Sequence, residues 1–88
     1  MRIKKGFVLR RMCGEYVVTA ESLELMNFNK LVTLNDSAAF LWKEIENKDF
    51  SVEELKALLI NRYGIDSERA LTDAVNICKE WEKAGVTE

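Results

Sequence analysis

The run Leu31-Val32-Thr33-Leu34-Asn35-Asp36-Ser37-Ala38-Ala39-Phe40-Leu41-Trp42 constrains the fold more than any other part of the chain. It carries β-type residues straight into an amphipathic helix with only a capping group between, so a strand and a helix must pack as immediate neighbours. Leu31 to Leu34 is expected to form the strand. Asn35, Asp36 and Ser37 each offer a side-chain oxygen to the unpaired N–H groups of a helix start, which puts the N-cap at Asn35 or Asp36. From Ser37 to Ile45, the residues Ala38, Leu41, Trp42 and Ile45 fall at i, i+3, i+4 and i+7, forming one apolar face. Trp42 is therefore expected to anchor the core rather than serve as a platform for a ligand.

Upstream, residues 3–12 place Ile3, Phe7, Val8, Leu9 and Met12 among basic residues, and Tyr16-Val17-Val18-Thr19 is rich in β-branched and aromatic types. Both stretches read as strands. Gly14, within Cys13-Gly14-Glu15, supplies the positive φ of a tight turn and makes the two strands an antiparallel hairpin. Glu21 to Asn29 lacks a clean period and reads as a connecting loop. Its Leu23, Leu25, Met26 and Phe28 either tuck beneath the sheet or contact a ligand.

Downstream, Ser51-Val52-Glu53-Glu54 has the form of a capping box, with Ser51 bonding the N3 amide and Glu54 reaching back. The helix it opens is expected to bury Val52, Leu55, Leu58, Leu59 and Tyr63 and to end at Gly64. Ile65-Asp66-Ser67 turns the chain and caps a last helix that runs to Ala84, with Gly85 as terminator. The apolar residues of this last helix span nearly half of its circumference. Leu71, Val75 and Cys78 mark one flank, and Ala70, Ala74, Ile77, Trp81 and Ala84 mark the other. Either one flank faces the core while the other lines something else, or the whole arc packs beneath the sheet and both neighbouring helices. The order β-β-β-α-α-α, without proline, repeats or low-complexity segments, predicts one domain over residues 1–88. Its class is α+β, a three-stranded antiparallel sheet followed by three helices in a winged helix-turn-helix-like layout.

The chain is 48% hydrophobic and 32% charged, a balance that suits a globular domain rather than a disordered segment. At 88 residues it has room for one modest core and none for an enzyme of ordinary build. It contains no His, and Cys13 and Cys78 stand far apart without a CxxC, so neither a metal site nor a cofactor is expected. Cys78 reads as a small core residue. With no nucleophile paired to a base and no glycine-rich phosphate loop, no catalytic residue is assigned and no enzymatic activity is expected. No apolar run approaches the roughly twenty residues that span a bilayer, and without a signal peptide the cytoplasm is the expected compartment.

The net charge of −2 hides an asymmetry, because Arg2, Lys4, Lys5, Arg10 and Arg11 crowd a first stretch that lacks acids. These residues either touch nucleic acid or membrane, or form the solvent-facing side of a first strand. On the last helix Glu68, Asp73, Glu80 and Glu82 outnumber Arg69, Lys79 and Lys83, which opposes entry into a DNA groove. The helix order and the expected edge strand leave two readings to weigh, a winged-helix DNA-binding module and a module that dimerises through its own edge strand.

Leu34-Asn35-Asp36-Ser37-Ala38-Ala39-Phe40-Leu41-Trp42, then Ser51-Val52-Glu53-Glu54-Leu55, then Tyr63-Gly64-Ile65-Asp66, in this order, resemble the PqqD-like family. The resemblance extends from Phe7 to Val86. It implies a non-catalytic recognition element for ribosomally made, modified peptides. Such an element binds the leader of a precursor peptide and presents it to a modifying enzyme, often a radical SAM protein. In the namesake pathway the peptide is the precursor of pyrroloquinoline quinone. The resemblance further implies that the leader adds as a strand beside the third strand, in a groove closed by the third helix. Carried onto this chain, the strand positions are Leu31, Val32, Thr33 and Leu34, with Lys30 beside them as a further peptide-binding residue. The helix positions, taken from helical phase, are Ala70, Ala74, Ile77 and Trp81, with Arg69 and Asp73 at the rim. Arg69 and Lys30 would steer an acidic leader.

Overall fold

A two-residue turn sets the register of the sheet. In the computed structural model, which describes residues 1–20 and 32–88, Cys13 and Gly14 have φ of 53° and 81°. Two consecutive positive φ values make a type I′ turn, whose twist matches that of the strands it joins. It connects β1 (Phe7–Met12) to β2 (Glu15–Ala20), with Met12 opposite Glu15 and Phe7 opposite Ala20. The third strand, β3 (Val32–Leu34), pairs antiparallel with β2, placing Leu34 opposite Tyr16 and Val32 opposite Val18. The sheet order is β1-β2-β3.

Alternation along each strand divides the side chains between two faces. Phe7, Leu9, Tyr16, Val18, Ala20, Val32 and Leu34 belong to the hydrophobic core or pack against it, whereas Arg10 and Thr33 point the other way and are exposed. Arg10 donates from Nε to Thr19 Oγ1 on that outer face at 3.1 Å. Among the basic residues, Arg10 and Arg11 do lie on the exposed part of β1.

The expected first strand is shorter than residues 3–12, because Gly6 at φ 94° separates β1 from the N-terminal residues. Those residues pair instead with the other end of the chain. Ile3 bridges Thr87, the Lys4 N–H donates to the Val86 carbonyl at 2.9 Å, and the Glu88 N–H donates to the Arg2 carbonyl at 2.8 Å. The clasp lies over buried Ile3, Phe50 and Val86. Nothing local in the sequence announces a pairing between residues so far apart.

Three helices follow, α1 (Asp36–Ile45), α2 (Val52–Tyr63) and α3 (Ser67–Ala84). Each begins at a side-chain cap of the expected kind. Asn35 Oδ1 accepts from the Ala38 N–H at 2.8 Å, Ser51 Oγ from Glu54 at 3.2 Å, and Asp66 Oδ1 from Arg69 at 2.7 Å. The Glu54 carboxylate, expected to reach back to Ser51, faces Lys48 Nζ at 3.7 Å instead. Gly64 and Gly85 adopt the left-handed conformation that closes α2 and α3.

The core is built around Trp42, whose ring meets Trp81 edge to face at 5.5 Å between centroids. Phe50 meets Trp81 in the same manner at 5.9 Å. Ala38, Leu41, Trp42 and Ile45 are all buried, as their spacing requires. On α2, Leu55 and Leu59 are buried, but Tyr63 is 45% exposed and packs only its ring edge-to-face with Phe40. The fourth turn of α2 runs past the core, which is why an apolar position there remains in water. Cys78 is buried and Cys13 exposed, and both are free thiols.

Candidate functional site

Among the described residues no strand pairs with the outer edge of β3, and the hairpin fixes which of its backbone groups are available there. A two-residue turn is flanked by a hydrogen-bonded pair, here Met12 and Glu15, and such pairs alternate with non-bonded ones along antiparallel strands. Glu15, Val17 and Thr19 therefore turn their N–H and C=O groups to β1, and Tyr16 and Val18 turn theirs to β3. Val32 and Leu34 are the β3 residues bonded to β2, while Thr33 directs both its N–H and its C=O outward. Asn35, the next residue in that phase, has its carbonyl engaged by the Ala39 N–H at 2.9 Å. Thr33 is thus the residue of described β3 that is free to pair with an incoming strand.

Beyond that edge lies a cavity of about 480 Å³. Thr33, Leu34 and Ala38 line one side, and Ile77 and Glu80 of α3 line the other. Glu15 and Tyr16 of the hairpin and Asp36, the first residue of α1, also border the cavity. Its wall is mixed: Leu34 and Ala38 are buried, Ile77 is half-buried, and Thr33 and Glu80 are exposed. An open groove of mixed lining beside an unpaired backbone edge suits an extended chain that hydrogen-bonds through its main chain and inserts alternate side chains.

Tyr16 and Asp36 also border a second hollow of about 610 Å³, on the side of α1 and α2. There the cations lie against rings: Lys43 Nζ is 4.8 Å and the Arg11 guanidinium 5.3 Å from the centre of the Tyr16 ring, and Arg62 is 5.3 Å from that of Phe40. The charged lining of the first hollow is acidic, whereas the second mixes Arg11, Lys43 and Arg62 with Asp36 and Glu44, and Tyr16 borders both.

The structure sorts the expected site residues into four groups. Thr33, Leu34 and Ile77 come together across the cavity. Val32 is half-buried on the core side of the sheet, bonded toward β2. Arg69 and Asp73 pair with each other at 3.9 Å and do not line the cavity. Ala70, Ala74 and Trp81 correct the expectation: at 0%, 0% and 1% exposure they belong to the core and present no surface to a ligand. Ala70 and Ala74 are small enough to let α2 and α3 pack closely, and Trp81 is held by Trp42 and Phe50. Lys30 and Leu31, and the loop residues Leu23, Leu25, Met26 and Phe28, lie outside the described residues.

Glu80, Ala38, Tyr16, Glu15 and Asp36 are cavity residues that the sequence reading missed. Glu80 had a signal, since it lies three residues beyond Ile77 on the same helical face. Glu15 and Tyr16 had none, because their approach to α3 depends on the packing of the sheet against the helices. Among the described residues, no helix is long and apolar enough to cross a membrane, and no group of three or more His, Cys, Asp or Glu is placed to hold a metal.

An open-edged sheet faced across a cavity by the last of three helices defines a small α+β domain with a groove along one strand. A family model described as Coenzyme PQQ synthesis protein D (PqqD) matches residues 15–86, and the chain belongs to that family. No curated protein matches it. Among solved structures it is similar to that described as "TbiB1 in Complex with the TbiA(beta) Leader Peptide". That likeness has a TM-score of 0.77 at 16% identity and covers 100% of this chain and 95% of the other. At such identity it establishes a shared fold.

Proposed function

We propose that the domain binds the leader of a ribosomally made precursor peptide by strand addition at β3 and presents it to a modifying enzyme, without catalysing a reaction itself. The observation that carries this reading is the outward-facing backbone of Thr33 opposite Ile77 across an open cavity. Family membership and the leader-bound state of the similar solved structure support it. A radical SAM enzyme is the proposed partner class.

Backbone pairing alone is too weak for the task. Two hydrogen bonds at Thr33 contribute about 1–3 kcal/mol net, whereas micromolar binding needs about −8 kcal/mol. The difference must come from leader side chains buried against Leu34, Ala38 and Ile77, at about 25 cal/mol per Å² of apolar surface. The helix wall is therefore as necessary to the reading as the strand.

The test is a titration with the leader encoded by a short open reading frame beside this gene. Amide shifts should concentrate at Thr33, Leu34, Ile77 and Glu80. Thr33→Pro should weaken binding about fivefold, equivalent to the one edge bond whose N–H donor it removes, while leaving the β2–β3 bonds of Val32 and Leu34 intact. Unchanged affinity in a folded Thr33→Pro protein would reject strand addition at this edge.

A further inference from the structure

Resting on the leader-binding reading, we infer that the bound segment is basic, carrying Lys or Arg where it passes between the end of β3 and α3. Every charged residue that lines the cavity among the described residues is an acid: Glu15, Asp36 and Glu80. They come from three separate elements, the hairpin, the start of α1 and the C-terminal third of α3, and line one cavity. Within the described residues none of the three makes an ion pair. Asp36 has a structural role as well, since a carboxylate in the first turn of α1 suits the helix dipole. Glu80 has no such role.

Three cations of nearby elements have partners outside this opening. Arg69 is turned to Asp73, and Arg11 and Lys43 lie against the Tyr16 ring in the adjoining hollow. Arg69, expected from sequence to steer an acidic leader, does not line the cavity, and Lys30 lies outside the described residues. An extended chain paired at Thr33 would carry alternate side chains into a space with Leu34 and Ile77 on its wall and carboxylates around its mouth. Apolar residues alternating with Lys or Arg fit that pattern. Exposed ion pairs add little affinity each, so the charge acts chiefly on selection among peptides and on the rate of encounter.

The probe is a library of short random peptides displayed on phage and selected on the whole protein. Edge binders are those that lose binding to Thr33→Pro or, as a second variant whose change lies on α3, to Ile77→Asp. Among edge binders, Lys and Arg should be enriched over the starting library. Replacing a selected Lys by Glu should lower affinity about fivefold at low salt, the equivalent of two exposed ion pairs, and less at high salt. The double variant Glu15→Lys with Glu80→Lys should shift the enrichment to Asp and Glu. Edge binders without basic enrichment, or an enrichment that ignores the double variant, would overturn the inference and leave leader binding standing. A selection that yields no peptide sensitive to either edge variant would overturn leader binding at this edge, and the inference with it.

Discussion

Two faces of α3, separated by a small rotation, have unlike surroundings. Ala70, Ala74, Cys78 and Trp81 form a buried stripe, while Ile77 and Glu80 look into the cavity beside β3. Ile77 lies only about 40° around the helix axis from Trp81. The buried face is dry and ring-packed; the other is half apolar and half charged. The comparison teaches that the large aromatic of an amphipathic helix is a poor guide to a binding surface. Trp81 has more area to hide than any neighbour, so it goes where partners exist on several sides, at Trp42 and Phe50. The α3 apolar residue that lines the cavity is the modest Ile77.

The clearest way to break the comparison is Trp81→Ala. If the two faces are distinct, this change should lower stability by about 3–5 kcal/mol, the cost of removing a buried aromatic, as measured by chemical denaturation. Any loss of peptide binding should then follow the loss of folded protein. A stable Trp81→Ala domain that no longer binds peptide would move Trp81 to the groove. Next in size is Ala74→Leu, which overpacks a fully buried site and should cost about 1–3 kcal/mol.

How much of this was legible differs between the ends of the chain. The Leu34 to Ile45 junction could be read closely, because an N-cap such as Asn35 acts within three residues and a single apolar stripe has only one way to face inward. The Gly14 turn and the Gly64 stop were legible for the same reason, as local backbone demands. On α3 the apolar arc was wide, and its covered half depends on where Phe50, Trp42 and α2 come to lie. Those are distant in sequence, so helical phase alone put Ala70, Ala74 and Trp81 on the groove side although they are buried, while Ile77 does line the cavity. The clasp between Ile3 and Thr87 and the acidic mouth of the groove escaped for the same cause, since each joins separate elements.

Ile77→Ala sharpens the comparison from the other side. Ile77 is half-buried, so its truncation should cost about 1 kcal/mol of stability or less, roughly one buried CH₂. Leader affinity should fall several-fold, because the helix wall loses its apolar contact. The measurement is a denaturation curve and a peptide titration on the same variant. A large stability loss with unchanged affinity would return Ile77 to the core.

The smallest effect is at Cys78, on the far border of the buried stripe. Burial pushes its thiol pKa above the ordinary value of 9.0, and the carboxylate of Glu82 adds to the shift. As pH rises past that ordinary value, the unfolded chain releases the thiol proton while the folded protein keeps it. The unfolded state then binds fewer protons than the native one, so stability falls with increasing pH. The contribution is present in full below the ordinary thiol range and is lost as the pH climbs through the raised one. Denaturation midpoints compared between about pH 8 and pH 10 should drop more for the native sequence than for Cys78→Ala, which lacks the titrating group. In native protein an alkylating reagent should label exposed Cys13 quickly and Cys78 only on unfolding, which mass spectrometry resolves site by site. Rapid native labelling of Cys78 would mean that the dry face of α3 opens to solvent, and the separation of the two faces would then be one of degree.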